Sequence, residues 1–332
     1  MPHIQTHRDY ASALHPRPLR ELYPPITPYS QGFMAVDIQH TIYWEQSGNP
    51  EGIPVLVLHG GPGAGATSTH RRFFDPEVYR IIIFDQRGAG RSHMLGNLDN
   101  NTTAYLIADM EALRKQLNIE RWHLFGGSWG STLALAYAIE HPKRCISMIL
   151  RSIFLMEESE VQWFMYGMRT IFPEAWEDFA NFIPENERSD LLEAYYKRLN
   201  SEDVKISIEA ALSWNAYESA CASFFPASQT INTDEQRYYA LAMAKIEAHY
   251  FSTQQMTGDN ALLGKIDRIR SIPATIVHAR YDIVCPIDSA HRLHLAWPEA
   301  DYVIVPDSGH SFLDPTMRSR LIEATETAKN LV

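Results

Sequence analysis

Cysteine is scarce and scattered in this chain. Cys145, Cys221 and Cys285 are the only three in 332 residues, odd in number and without a C-x-x-C pair, so neither a disulfide framework nor a cysteine-based zinc site is expected. Free thiols suit a reducing cytoplasm, where the chain is expected to act. No apolar segment of signal-peptide type opens the N-terminus, and no uninterrupted apolar run approaches the roughly 20 residues of a membrane span. A soluble, unexported protein with no membrane partner is expected. Basic residues are in deficit: 29 Lys and Arg against 40 Asp and Glu leave a formal charge of −11, which argues against nucleic acid and mildly favours a cationic ligand. Nucleotide motifs are missing as well. Gly61-Pro62-Gly63-Ala64-Gly65 lacks the G-x-G-x-x-G spacing, and no Gly-Lys-Ser/Thr follows it. His291 and His294 share a helix face without a third ligand, so no metal and no cofactor are expected.

What is present is an ordinary globular composition, 45% apolar, enough for a large α/β domain with an insertion. Residues 1 to about 20 show no periodicity and read as an irregular extension. Gly32 to Asp37 and Thr41 to Gln46 read as a hairpin. Pro54 to Leu58, Tyr79 to Phe84, Arg121 to Phe125 and Ile146 to Leu150 are apolar runs typical of strands buried on both faces. A helical stripe, Leu106, Met110, Leu113 and Leu117, lies between the second and third of these runs. After Phe154 the chain turns aromatic, charged and helical up to about residue 260, and strand–helix alternation then resumes at Ala274 to His278, Ser289 to Leu295, Tyr302 to Val305 and a last helix from about Thr316. The expected architecture is a mostly parallel, doubly wound sheet with helices on both faces. Residues 1–154 and 261–332 form its core, and residues 155–260 form an inserted helical cap.

The organising stretch is Gly126-Gly127-Ser128-Trp129-Gly130-Ser131. A strand runs into it and an apolar helix leaves it, the context required of a G-x-S-x-G nucleophile elbow. Glycines at 126 and 130 allow the close backbone approach that a sharp, strained turn imposes. By itself the motif could also be a glycine-rich turn whose serine caps a helix. Two further residues favour catalysis: Asp282 and His310 each follow a predicted strand, in the chain order Ser, Asp, His that such elbows use. A serine hydroxyl needs an imidazole to take its proton, and the imidazole needs a carboxylate to fix its tautomer. His59-Gly60-Gly61-Pro62-Gly63, after the first buried strand, fits a loop of small residues that brings a backbone N–H to a substrate carbonyl. The charges of Asp85-Gln86-Arg87-Gly88-Ala89-Gly90-Arg91 read as a structural loop network.

Together these motifs resemble the bacterial proline iminopeptidases, serine peptidases of the α/β-hydrolase fold. The similarity extends from about Leu22 to the last helix and includes Tyr43-Trp44-Glu45-Gln46-Ser47-Gly48, His59-Gly60-Gly61-Pro62-Gly63, Asp85-Gln86-Arg87-Gly88, the elbow, Tyr281-Asp282 and Gly309-His310-Ser311. The resemblance implies release of N-terminal proline from peptides through an acyl-enzyme. It implies Ser128 as nucleophile, Asp282 and His310 as its partners, and the backbone N–H groups of Gly61 and Trp129 as oxyanion hole. Departures are Ser152, Ala64 and Ala279, where the family usually has glycine, and Tyr217, where it has tryptophan. Glu218 shares a helical stripe with Ala211 and Trp214, and Glu247 one with Ala240 and Tyr250, with no matched base nearby in either helix. Buried carboxylates need a countercharge, and the family's paired cap glutamates match these positions. The resemblance thus implies that Glu218 and Glu247 hold the substrate's amine, with Phe154 and Arg151 bordering its ring. A general serine esterase or amidase on the same triad, or a non-catalytic binding protein on the same scaffold, remain alternatives at this point. Oligomeric state is not legible.

Overall fold

The computed structural model describes residues 18–222 and 231–331; nearly all of the expected N-terminal extension lies outside the described residues. β1 (Ser30–Ala35) and β2 (Thr41–Gly48) form the expected antiparallel hairpin. Asp37 Oδ1 closes its turn by accepting the Gln39 and His40 N–H groups at 2.8 and 2.7 Å. β3 (Ile53–Leu58), β4 (Tyr79–Phe84), α1 (Thr103–Gln116), β5 (Trp122–Ser128), α2 (Trp129–Glu140) and β6 (Cys145–Ile153) follow. Next come α3 (Glu158–Gln162), α4 (Pro173–Asn181), α5 (Leu191–Leu199), α6 (Val204–Ala222) and α7 (Asp234–Thr253), with no strand between β6 and β7 among the described residues. β7 (Ala274–Ala279), α8 (Ile287–Ala296), β8 (Asp301–Val305) and α9 (Pro315–Ala328) complete the chain. No described helix is long and apolar enough to cross a membrane.

The eight strands form one sheet in the order β1-β2-β4-β3-β5-β6-β7-β8, antiparallel at β1 and β2 and parallel from β4 to β8. The apolar strand runs are explained by two cores. Leu56, Leu58, Ile82, Phe84, Leu124 and Leu150 face the layer of α1 and α2, whereas Val55, Val57, Ile81, Ile83, Phe125 and Ile149 face Met317 and Leu321 of α9. Residues two apart share a face, so each central strand must be apolar on both. α2 is buried along its whole length except for Glu140, which explains its almost wholly apolar composition. Helix starts use ordinary chemistry. Thr102 caps α1, and Thr233 with Gln236 forms a capping box at α7.

At the centre of the sheet β5 passes into α2 through Ser128, whose backbone sits at φ 57°, ψ −130°. This conformation is costly for a residue with a Cβ and persists only where its surroundings enforce it. Here the enforcement is backbone packing. A Cβ on Gly130 would lie on the Leu58 carbonyl oxygen of β3, and one on Gly126 would lie on the Gly130 carbonyl oxygen.

The loops after β3 and β4 are tied together by charge. Glu45, 1% exposed on β2, accepts Arg71 Nε at 2.6 Å and Nη2 at 2.8 Å, Arg91 Nη1 at 2.9 Å and the Tyr43 hydroxyl at 2.9 Å. Arg91 Nε in turn donates to Asp85 at 2.7 Å, and Asp85 accepts the Ala66 N–H at 2.9 Å. Burial opposes the charge on Glu45, but Arg71, Tyr43 and Arg91 outweigh it and hold its carboxyl below the usual range. The loop charges therefore have the structural role expected of them.

Two outcomes test these constraints. Glu45→Gln leaves two guanidinium groups without their shared carboxylate and should cost about 3 kcal/mol, measured by urea denaturation. Gly130→Ala cannot be relieved by a rotamer change, because the obstacle is backbone; it should cost about 4 kcal/mol or more, or yield insoluble protein. A soluble Gly130→Ala with an unchanged denaturation midpoint would contradict the packing described.

Candidate active site

Ser128 stands at the end of β5, Asp282 just beyond β7 and His310 just beyond β8, all at the carboxyl edge of the parallel sheet, where open α/β sheets place their ligands. His310 Nδ1 lies 2.9 and 3.0 Å from the two Asp282 carboxylate oxygens. A carboxylate accepts, so Nδ1 carries the hydrogen and Nε2 is left as the basic nitrogen. Burial alone would raise the Asp282 carboxyl. The His310 charge and hydrogen bond, with His278 and the Cys285 N–H at 2.9 Å, hold it well below the carboxylate range. No hydrogen bond joins Ser128 to His310 among the described residues; the Ser128 hydroxyl has the Cys285 thiol at 3.9 Å. Such links commonly tighten only as substrate and transition state are bound. Burial pushes the Cys285 thiol far up, so the thiol is no rival nucleophile.

The loop after β3 reaches the same point. A Cβ on Gly60 would stand 3.3 Å from the Gly127 carbonyl oxygen and 3.4 Å from Ser128 Cβ, and Gly61 lines the cavity beside Ser128. Trp129 is the first residue of α2, so its N–H has no acceptor within the helix and stands at the positive end of the helix dipole. Gln86 couples the two. Its side chain accepts the Trp129 indole N–H at 2.8 Å and donates to the His59 carbonyl at 3.0 Å, while its backbone N–H donates to His59 Nε2 at 2.9 Å. His59 is buried, which lowers its pKa and keeps it neutral.

One cavity brings together Ser128, Gly61, Phe154, Glu218 and Glu247, with Glu160, Phe164, Phe251, Val284 and Cys285 completing its wall. Glu247 is 2% exposed and accepts the Trp214 indole N–H at 2.6 Å. Glu218 has no hydrogen bond or ion pair among the described residues. Burial raises both carboxyls. His310 opposes the rise at Glu218; at Glu247 the neighbouring Glu218 adds to it and the Trp214 bond opposes it. Burial likewise pushes Glu160 up to about 7, against hydrogen bonds from Ser289, Glu157 and Leu155. The cavity is thus lined by aromatic and aliphatic side chains and three carboxyls, with no basic side chain among its lining residues.

Arg151 does not line this cavity. Its buried guanidinium lies behind Gly127 and donates from Nη1 to the His310 carbonyl at 2.6 Å and to Ser152 Oγ at 2.8 Å. Tyr217 donates its hydroxyl to the Phe164 carbonyl at 2.9 Å, so it supports the wall from behind. Ser152 has φ 50°, a left-handed conformation that explains glycine as the usual family choice there. Sequence reasoning missed Gln86, Glu160, Phe164, Phe251 and His278. The Asp85-Gln86-Arg87-Gly88 motif was a signal for the first; the others carry no local signature. His291 and His294 sit on α8 away from this cavity, His294 stacking on Tyr302 at 4.9 Å. Among the described residues, the groups whose ligand atoms cluster within 4.8 Å are Asp282, Cys285 and His310. With Asp282 already bonded to His310 and Cys285 kept protonated, that set is engaged in protein contacts.

A family model for the alpha/beta hydrolase fold matches residues 53–315. The chain is 50% identical over 316 residues to a proline iminopeptidase of Arabidopsis thaliana, covering 94% of this chain and 83% of the relative. It is 47% identical to a proline iminopeptidase of Xylella fastidiosa, with 93% and 99% covered. The solved structure of a proline iminopeptidase-related protein from Thermus thermophilus superposes with a TM-score of 0.60 at 20% identity, covering 92% and 99% of the two chains; at that identity the likeness concerns the fold. On the sequence likeness across nearly its full length, the chain belongs to the proline iminopeptidase family of α/β hydrolases.

Proposed function

We propose that this protein releases N-terminal proline from peptides by acyl transfer through Ser128. The observation that carries the reading is the pair Glu218 and Glu247 in the cavity of Ser128, with no base against them among the described residues. A buried carboxylate beside a half-buried one, neither in contact with a basic side chain, calls for a cationic ligand, and the secondary ammonium of an N-terminal proline supplies one while Phe154, Phe164 and Phe251 surround its ring. Such a demand for a free amine makes the enzyme an exopeptidase. Residues 155–260, which contribute Glu218 and Glu247, act in this reading as a cap over a core of residues 1–154 and 261–332. Three free cysteines support a reducing, cytoplasmic setting for the reaction.

His310 Nε2 takes the Ser128 proton as Oγ attacks the prolyl carbonyl, and Asp282 holds the imidazole and offsets its charge. The Gly61 and Trp129 N–H groups receive the developing oxyanion. His310 then protonates the departing amine, which leaves as the shortened peptide. Water attacks the prolyl ester by the same relay and frees proline and Ser128. Arg151 acts here by holding the His310 main chain rather than by meeting the ring.

Hydrolysis of prolyl-, alanyl- and leucyl-naphthylamide and of p-nitrophenyl acetate, with Ser128→Ala as control, tests the reading. Prolyl-naphthylamide should be strongly preferred among the amides. Ser128→Ala and His310→Ala should each lose kcat on the order of 10⁴-fold or more, since triad members act as a unit. Appreciable turnover by folded Ser128→Ala would sink the acyl-enzyme.

Glu218→Gln and Glu247→Gln should each cost about 2 kcal/mol or more in kcat/KM on prolyl amides, while turnover of the neutral acetate ester falls much less. N-acylated prolyl substrates should be poor. Because both carboxyls lie above their ordinary value, acid protonates them earlier, and kcat/KM should fall on the acid side from a pH above the usual carboxylate range. Equal loss of ester and amide turnover in both variants would make these residues supports of the fold.

A further inference from the structure

Three carboxyls line the cavity, and their hydrogen-bond partners separate them into two kinds. Glu218 has none among the described residues, and Glu247 has the one indole donor. Glu160, on α3, is saturated. Its Oε1 and Oε2 accept the Leu155 N–H at 3.1 and 3.0 Å, Oε2 accepts the Glu157 N–H at 3.0 Å, and the Ser289 hydroxyl donates to Oε1. A carboxylate whose oxygens are already engaged by protein donors has little left to offer a substrate ammonium. It holds backbone instead.

The backbone it holds is one that needs holding. Between the two N–H groups bound by Glu160 lies Met156 at φ 58°, and Ser152 at φ 50° precedes them. Left-handed conformations at non-glycine residues are costly and persist where the surroundings impose them. This strained segment carries Phe154, one wall of the cavity. The other partner, Ser289, lies in the first turn of α8, shortly after Val284 and Cys285, which also line the cavity. Glu160 therefore ties together two parts of the wall that are far apart in the chain. His278 forms a second strut alongside it: Nδ1 accepts the Ile153 N–H at 2.9 Å and Nε2 donates to the Cys285 carbonyl at 2.9 Å.

We propose that Glu160 is a positioning residue that sets the width of the acyl pocket, and with it the rejection of residues bulkier than proline, by locking the Leu155–Glu157 turn to the Cys285–Ser289 segment. The proposal rests on the prolyl reading above. A wall fixed by these hydrogen bonds cannot retreat for a larger side chain, whereas a wall freed from them can.

The experiment compares the full-length wild type, Glu160→Gln and Ser289→Ala on prolyl-, alanyl- and leucyl-naphthylamide and p-nitrophenyl acetate, with thermal unfolding of each. In Glu160→Gln an amide NH₂ replaces one acceptor and opposes the backbone N–H groups, so the prolyl-to-leucyl ratio of kcat/KM should fall about tenfold, a change of the size set by one methylene of pocket fit. The loss on prolyl substrate should appear mainly in KM, and acetate turnover should fall far less. Ser289→Ala, which removes one strut end, should move the ratio in the same direction by less, and it carries the test should Glu160→Gln not fold. An unchanged ratio with all substrates falling together overturns the proposal in favour of a purely structural role. An unchanged ratio with every free-amine substrate lost and the ester spared overturns it in favour of a third amine ligand. A wild type with no preference for prolyl over leucyl substrate overturns the functional reading itself, before any variant is compared.

Discussion

The site depends on backbone packed against backbone where β5 meets α2. Ser128 is held at φ 57° because Gly126 and Gly130 leave no space between the turn, the helix start and the end of β3. That contact does two things at once. It sets the serine at the sheet edge, and it sets the loop after β3 against the same serine, so that Gly61 and the start of α2 lie beside one cavity. The pairing is then stiffened by Gln86, which grips Trp129 with its side chain and His59 with both side chain and backbone. Preorganised donors of this kind favour a developing oxyanion because they need no reorientation during the reaction.

Around that constraint the protein distributes its buried charge with one consistent rule and one exception. Glu45 faces Arg71 and Arg91, Asp85 faces Arg91, Asp109 faces Arg87 and Asp282 faces His310. Each of these carboxylates, removed from water, has a basic group in hydrogen-bond contact, as the cost of desolvation requires. Glu160 has backbone and hydroxyl donors in place of a base, and burial still raises its carboxyl against them. Glu247 breaks the rule with one indole donor and no basic group, and the half-buried Glu218 stands in the same cavity with no basic side chain in hydrogen-bond contact among the described residues. A structure that elsewhere gives its buried acids a base does not leave these two without one by accident of composition; the −11 formal charge is no reason for it, since most of that excess is free to remain in water.

Much of this was legible in the sequence, for a physical reason. Strands buried on both faces must be continuous apolar runs, which is why β3, β4, β5 and β6 stood out, and an elbow must carry glycines where Cβ atoms would collide. The order Ser128, Asp282, His310 followed from the sheet, because each residue lies at a strand's carboxyl end. The paired glutamates could be suspected as polar interruptions of apolar stripes. Other features had no local trace. Glu160 touches Ser289 across a gap of more than a hundred residues, His278 bridges β6 to the acid loop, and Arg151 turned towards the His310 carbonyl instead of the cavity. Those arrangements arise from tertiary closure, on which neither helical period nor motif spacing bears. Ser152 is intermediate: its departure from glycine marked a special position, but only the backbone angle reveals the strain.

Recognition and chemistry are linked through electrostatics. Burial disfavours the charge on Glu218 and on Glu247, and the neighbouring Glu218 adds repulsion at Glu247, so both carboxyls lie above their ordinary value. An entering ammonium reverses that preference, since a cation between two carboxyls stabilises their charged states. A substrate lacking the amine offers the two carboxyls no such stabilisation, so in the proposed reading it forgoes the contact that would draw both into their charged forms. Exopeptidase selectivity then follows from the electrostatics of one cavity, because the same burial that makes a lone carboxylate costly makes an ammonium beside it welcome.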